Sequence, residues 1–122
     1  MKIVIAEAEF LIADMLVASL EDAGYDVRSA ANGAYALDLI RDDRPDLVIT
    51  DFMMPLVTGL ELAEAIKADE ILKDLYIILV SGAQGAIARG RADLFNHVID
   101  KPYALEEILQ IAGSVAARRL PR

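Results

Sequence analysis

The feature that most restricts the fold is a recurrence of short apolar runs, each closed by polar or turn residues and followed by helical periodicity. Ile3 to Ala6, Leu47 to Thr50 and Tyr76 to Val80 are nearly continuous and rich in β-branched residues, as parallel strands covered on both faces are. Tyr25 to Ser29 is a weaker run that suits a sheet edge, and Val98 with Ile99 makes a brief last strand. From Phe10 the spacing turns helical, with Leu11, Ile12, Met15, Leu16, Ser19, Leu20 and Ala23 on one face and Gly24 at the C′ position. Asn32 caps a second helix through Ala36, Leu37 and Ile40, which ends before Pro45 because the residue preceding a proline avoids the helical region. Thr58 and Glu61 form a capping box for a third helix, Gly59 to about Ala68, with Val57 and Leu62 at the hydrophobic-staple positions. Gly82 to Arg91 is helical only weakly, since Gly82, Gly85 and Gly90 each cost a helix about 1 kcal/mol relative to Ala. A final helix puts Leu105, Ile108, Leu109, Ala112, Val115 and Ala116 on one face. Strand then helix, five times over, implies an α/β fold. The expected form is a doubly wound (βα)5 chain with a parallel sheet, right-handed crossovers and helices on both faces.

No linker or low-complexity tract interrupts residues 1–122, so a single domain is expected. No apolar run approaches the roughly 18 residues of a membrane span. MKIVIA runs straight into Glu7 and Glu9, without the long apolar region of a signal peptide. The expectation is a cytoplasmic domain with no membrane insertion. Cysteine is absent, which removes disulfides, thiolate metal sites and cysteine nucleophiles together. A formal charge of −8 argues against direct nucleic-acid binding, which needs clustered Lys and Arg. The locally basic tail, Arg118, Arg119 and Arg122, reads as a solubilising end that complements the helix dipole.

Parallel strands share one carboxyl edge, which is where ligands bind in open α/β sheets. The residues expected there are Glu7 (with Ala8 and Glu9), Asp51, Ser81 and Lys101. An aspartate ending a strand is often only a turn residue. In this company it has chemistry: a carboxylate can accept a phosphoryl group, and the new charge needs a divalent cation, a cationic side chain and a hydroxyl donor around it. Glu7 and Asp51 can hold Mg2+, Lys101 can pair with the phosphoryl oxygens, and Ser81 can donate to one of them. An added charge near −2 would pull Ser81 and the loop behind it toward Asp51.

Over roughly residues 1–117 the chain resembles the receiver domain of bacterial two-component response regulators, the family of the chemotaxis regulator. The marks are Asp51 followed by Met54-Pro55 and Gly59, Ser81 after an apolar strand, and Lys101-Pro102 followed by an aromatic residue. The resemblance implies a flavodoxin-like fold with strand order 2-1-3-4-5. It implies a signalling module rather than an enzyme, in which Asp51 takes phosphate from a phosphohistidine on a sensor histidine kinase or histidine phosphotransfer protein and then switches binding to a downstream protein target. It also implies that the Met53 carbonyl ligates Mg2+ and that the Lys101-Pro102 bond is cis.

Two departures stand out. Where the family carries two adjacent acidic residues after the first strand, this chain reads Glu7-Ala8, which predicts weak but usable Mg2+ binding through Glu7, Asp51 and the Met53 carbonyl, with Glu9 a possible addition. The position three before Lys101, often an aromatic that swings inward, is Val98. Output is therefore expected through the glycine-interrupted helix and its loops. His97 is read as a solvent-facing or edge residue, and Phe95 and Tyr103 as packing residues. The competing reading is a pseudo-receiver, a scaffold that binds partners without phosphorylation. An aspartyl-phosphate phosphatase would carry a second acid where Met53 stands, and a flavin site would need a phosphate loop where the first strand ends in acids.

Overall fold

The computed structural model describes residues 1–82 and 85–119, apart from the side chain of Arg119. Ala83 and Gln84 of the weakly helical stretch and Arg122 of the basic tail lie outside the described residues. Strands and helices alternate as β1 Lys2–Ala6, α1 Phe10–Asp22, β2 Asp26–Ala30, α2 Gly33–Asp42, β3 Leu47–Asp51, α3 Gly59–Lys67, β4 Tyr76–Ser81, α4 Gly85–Arg89, β5 His97–Asp100 and α5 Leu105–Arg119. The strands pair in parallel in the order β2-β1-β3-β4-β5, the flavodoxin-like arrangement. The weaker run, β2, is one of the two edges, as its composition implied.

Alternation along the buried strands sorts their side chains into two cores. Val4, Val48, Ile77 and Leu79 pack with Ile40, Leu62, Ile66 and Leu94 beneath α2, α3 and α4. Ile3, Ile5, Leu47, Ile49 and Ile78 pack with Leu16, Leu20 and Ile108 beneath α1 and α5. Both faces of the three central strands are therefore covered, which is why their runs carry no polar alternation. Asn32 caps α2 by accepting from the Tyr35 N–H at 2.8 Å. The capping box of α3 is complete: Thr58 Oγ1 accepts from the Glu61 N–H at 3.2 Å, and Glu61 Oε1 from the Thr58 N–H at 3.0 Å.

The inward face of α1 differs from the expected one. Ala13, Leu16 and Leu20 are buried, whereas Leu11 is 80% and Met15 48% exposed. At about 100° per residue, Leu11 lies some 140° and Met15 about 100° from Leu16, too far round to reach a sheet that Leu16 and Leu20 face. Arg118 of the basic tail is exposed, as a solubilising residue would be. Its guanidinium also lies over the Tyr76 ring, 5.6 Å from the centroid, a cation–π contact.

The β3–α3 loop is pinned at both ends. Phe52 N–H donates to Val80 O at 3.1 Å, and Gly59 N–H donates to Phe52 O at 2.8 Å. A Cβ at Gly59 would collide with the Asp51 carbonyl oxygen, so only glycine lets α3 start this close to the strand end. Between these ties Val57 N–H donates to Pro55 O at 2.8 Å, making a three-residue turn with Leu56 at φ 69. The left-handed region strains a leucine, and Leu56 is 79% exposed, so its side chain offsets little of that cost. Leu56→Gly should raise Tm by about 2–4 °C in thermal unfolding, the size of a relieved strain of about 1 kcal/mol. Gly59→Ala should instead lose about 2 kcal/mol or more. A Leu56→Gly protein that melts below the parent would contradict the strain.

Candidate functional site

Asp51 ends β3 opposite Val80 of β4, and its side chain is only 12% exposed. Oδ1 accepts from the Phe52 N–H at 2.9 Å, and Oδ2 accepts from Lys101 Nζ at 3.0 Å. The buried Thr50 hydroxyl donates to the Asp51 carbonyl oxygen at 2.9 Å, which fixes the strand end behind the carboxylate.

Lys101 follows β5, its N–H donating to Ser81 O at 2.8 Å, and the Lys101-Pro102 bond is cis as the resemblance implied. Its ammonium also lies 3.6 Å from Glu7 Oε1. Burial disfavours that ammonium, but the Asp51 hydrogen bond and the charges of Asp51 and Glu7 outweigh it and raise the lysine pKa. Glu7 is tied down by its N–H to Ala30 O at 3.0 Å and is 4% exposed. Burial, then the hydrogen bonding and charge of Asp51, push its pKa up to about 7, against the lowering effect of Lys101. One cation thus serves two carboxylates, and burial together with the charge of Asp51 favours the protonated form of Glu7.

Ser81 is fully buried at the end of β4, and neither its Oγ nor Glu7 Oε2 has a hydrogen-bond partner among the described residues. Met53 is 59% exposed in the loop after Asp51. Glu9 is exposed at the N-cap position of α1 and makes no side-chain cap, though its charge acts on Glu7 and Lys101. Among the described residues no three acidic or histidine side chains converge enough to hold an ion. The carboxylates brought together are therefore Glu7 and Asp51, with Glu9 held off at the helix start and Ala8 exposed beside it. Mg2+ accepts such a site, because one or two carboxylates suffice when phosphate and retained waters complete the octahedron. The unpartnered Glu7 oxygen and the excess negative charge fit that ion.

The residues read as bystanders stand where expected. His97 is exposed, with Tyr76 Oη 2.7 Å from its Nε2. Phe95 is buried and Val98 packs against the core beneath α2, α3 and α4. Tyr103 packs on the other core, yet it also feels the site: burial first, then the charge of Glu7, raise its hydroxyl pKa. The sequence reading missed the roles of the Thr50 hydroxyl and the Phe52 N–H. Thr50 left one signal, a hydrogen-bonding side chain at the last position of an otherwise apolar run.

The raised Glu7 pKa has a signed consequence for stability. Between its ordinary value of 4.5 and about 7 the folded state holds the proton more tightly than the unfolded chain. The contribution is complete below pH 4.5 and is lost as pH rises through 7. In metal-free buffer Glu7→Gln should therefore gain stability relative to the parent as pH rises from 5 to 8, by on the order of 2 kcal/mol. Chemical denaturation at the two pH values tests this, and a difference independent of pH would refute it.

Residues 3–112 match the model of the response regulator receiver domain. The chain is 33% identical over 121 residues to the phosphate regulon transcriptional regulatory protein PhoB of Pseudomonas aeruginosa, covering 98% of this chain and 53% of that protein. It spans about half the length of the curated relatives it matches. A putative response regulator from Chloroflexus aurantiacus superposes with a TM-score of 0.86 at 28% identity, covering 95% of this chain and 97% of that one. The receiver domain of a Pseudomonas aeruginosa sensor histidine kinase, solved with magnesium in its active-site cleft, has the same fold at a TM-score of 0.85 and 22% identity, covering 95% and 97%. The chain belongs to the response regulator receiver domain family, the phosphoacceptor signalling modules of two-component systems.

Proposed function

We propose that Asp51 is the phosphoacceptor and that Glu7, Lys101 and Ser81 form the machinery around it. A carboxylate oxygen of Asp51 attacks the phosphorus of a phosphohistidine. The P–N bond breaks, its electron pair stays on the imidazole nitrogen, and that nitrogen takes up a proton. The product is an acyl phosphate. Lys101 Nζ, already 3.0 Å from Asp51 Oδ2, pairs with the new phosphoryl charge, and the unpartnered Ser81 hydroxyl donates to a phosphoryl oxygen. Mg2+ held by Glu7, Asp51 and the Met53 carbonyl would neutralise charge between carboxylates and phosphate. The observation that carries this reading is the single ammonium shared by Asp51 and Glu7 at the carboxyl edge.

A sensor histidine kinase or histidine phosphotransfer protein supplies the phosphoryl group. Its docking surface is a groove of about 520 Å³ lined by Ile12, Met15, Lys101, Pro102, Tyr103 and Leu105, which reaches the site at Lys101. Phe10 and Leu11 extend the exposed apolar surface along α1. Output goes to a downstream protein target, and with a net charge of −8 this domain itself makes no nucleic-acid contact.

Incubation with acetyl phosphate should give one phosphoryl adduct by intact-mass analysis, dependent on Mg2+ and absent in Asp51→Asn. A folded protein that takes no adduct at high Mg2+ would refute the acceptor role and favour a scaffold. Ala8→Asp should tighten Mg2+ on the order of tenfold, because a third carboxylate is added. Unchanged affinity would show that Ala8 does not weaken the metal site.

A further inference from the structure

The amino ends of β4 and β5 lie at the edge of the sheet away from the acceptor carboxylate, since Tyr76 pairs with Leu47 at the start of β3 while Asp51 pairs with Val80. His97 stands in register with Ile78, and Tyr76 precedes Ile78 by two residues, so both rings project on the face that α5 covers. There Tyr76 Oη lies 2.7 Å from His97 Nε2, with the ring centroids 5.7 Å apart. The start of β5 is fixed by the residue before His97: Asn96 N–H donates to Ile77 O at 2.9 Å, and Asn96 Oδ1 accepts from the Ile77 N–H at 2.8 Å. Facing these rings, α5 presents Gln110, Ser114 and Arg118, four apart along one helix face, and the half-buried Ile111. These six side chains line a groove of about 350 Å³, within the size range of small-molecule pockets.

The chemistry of the lining is unlike the rest of the surface. None of the lining residues is acidic, in a chain with 20 Asp and Glu and a net charge of −8. Lys2, Lys73, Arg89, Arg91 and Lys101 each meet a carboxylate, whereas Arg118 has no acidic partner among the described residues. Its guanidinium lies over the Tyr76 ring, and a guanidinium held by its face keeps its N–H edge for an anion. The Ser114 hydroxyl and the Gln110 amide add donors beside it. Where the Tyr76 hydroxyl donates to Nε2, His97 carries its ring proton on Nδ1 and can donate it in turn. Ile111 and the Tyr76 ring supply apolar area next to these donors.

We propose that this groove is a second binding site, for a small organic anion. Arg118, with Ser114 and Gln110, takes the carboxylate or phosphate group, and the body of the ligand rests on Ile111 and the paired rings of Tyr76 and His97. The site lies at the edge of the sheet opposite Asp51 and does not rest on the phosphoacceptor reading.

The test is an NMR titration in metal-free buffer at about 0.15 M salt, with benzoate, phenyl phosphate and the neutral benzamide as probes. An anionic probe should shift the His97 and Ser114 amides saturably, with a Kd on the order of 1 mM for a fragment of this size, and the tighter of the two anions identifies the group that the site takes. Benzamide should bind about tenfold more weakly, because the charge-assisted hydrogen bonds are lost, and Arg118→Gln should weaken the anion by a similar factor. Ser114→Trp decides the matter: it changes an exposed helix position, keeps every charge and fills the groove, so saturable binding should vanish while the amides of β1 and β3 stay where they are in the parent. Binding that survives Ser114→Trp is attraction to surface charge and overturns the site. So does equal binding of benzamide, an unresponsive Arg118→Gln, or shifts from both anions that never saturate or are confined to Lys101 and its neighbours.

Discussion

The carboxyl edge of the sheet is organised around one ammonium shared by two carboxylates. Lys101 lies 3.0 Å from Asp51 and 3.6 Å from Glu7, and both acids are largely shielded from solvent. Two buried negative charges beside one positive charge cannot all be satisfied, because desolvation penalises each unpaired ion more than a surface pair would gain. Burial, and then the neighbouring Asp51, push the Glu7 pKa up to about 7. The same imbalance makes the edge receptive to a divalent cation. It also keeps Lys101 beside Asp51 Oδ2.

That arrangement requires the strand ends to be immobile, and the fold supplies this by different means on each strand. β3 is held by the Thr50 hydroxyl and by Gly59, whose missing side chain lets α3 begin against the Asp51 carbonyl. β5 is held to β4 by the Lys101 N–H on Ser81 O. The loop between β3 and α3 absorbs the resulting constraint at Leu56, where the backbone is left-handed and the side chain stands in solvent. Strain collected beside a reactive group is a common feature of sites whose geometry is over-determined by their surroundings.

The opposite quality prevails at α4. It has five residues, opens on Gly85 and leaves Ile87 exposed, so it has few side-chain contacts to lose on opening. Ser81 directly follows Val80, the register partner of Asp51, and is itself the register partner of Asp100. Firmly tied strand ends and a short helix thus stand next to one another on the β4–β5 side of the sheet.

Much of this was legible along the chain because it depends on local periodicity and local chemistry. The apolar runs specify buried parallel strands, and Thr58 with Glu61 specifies the start of α3. The residue types at the strand ends name the chemistry of the edge. The inward face of α1 was not legible. Leu11 and Met15 are as apolar as Leu16, and only the placement of the helix on the sheet decides which of them it buries. The sharing of Lys101 between Asp51 and Glu7, the exclusion of Glu9 from that contact, and the meeting of Arg118 with the Tyr76–His97 pair were likewise hidden. Each joins residues distant in sequence or separated by a helix boundary, at distances set by strand register and by how near two backbones can approach. The sequence by itself determined which elements form and what chemistry their ends carry; tertiary structure decided which charges meet, because electrostatic and steric contacts depend on ångström separations that no local pattern encodes.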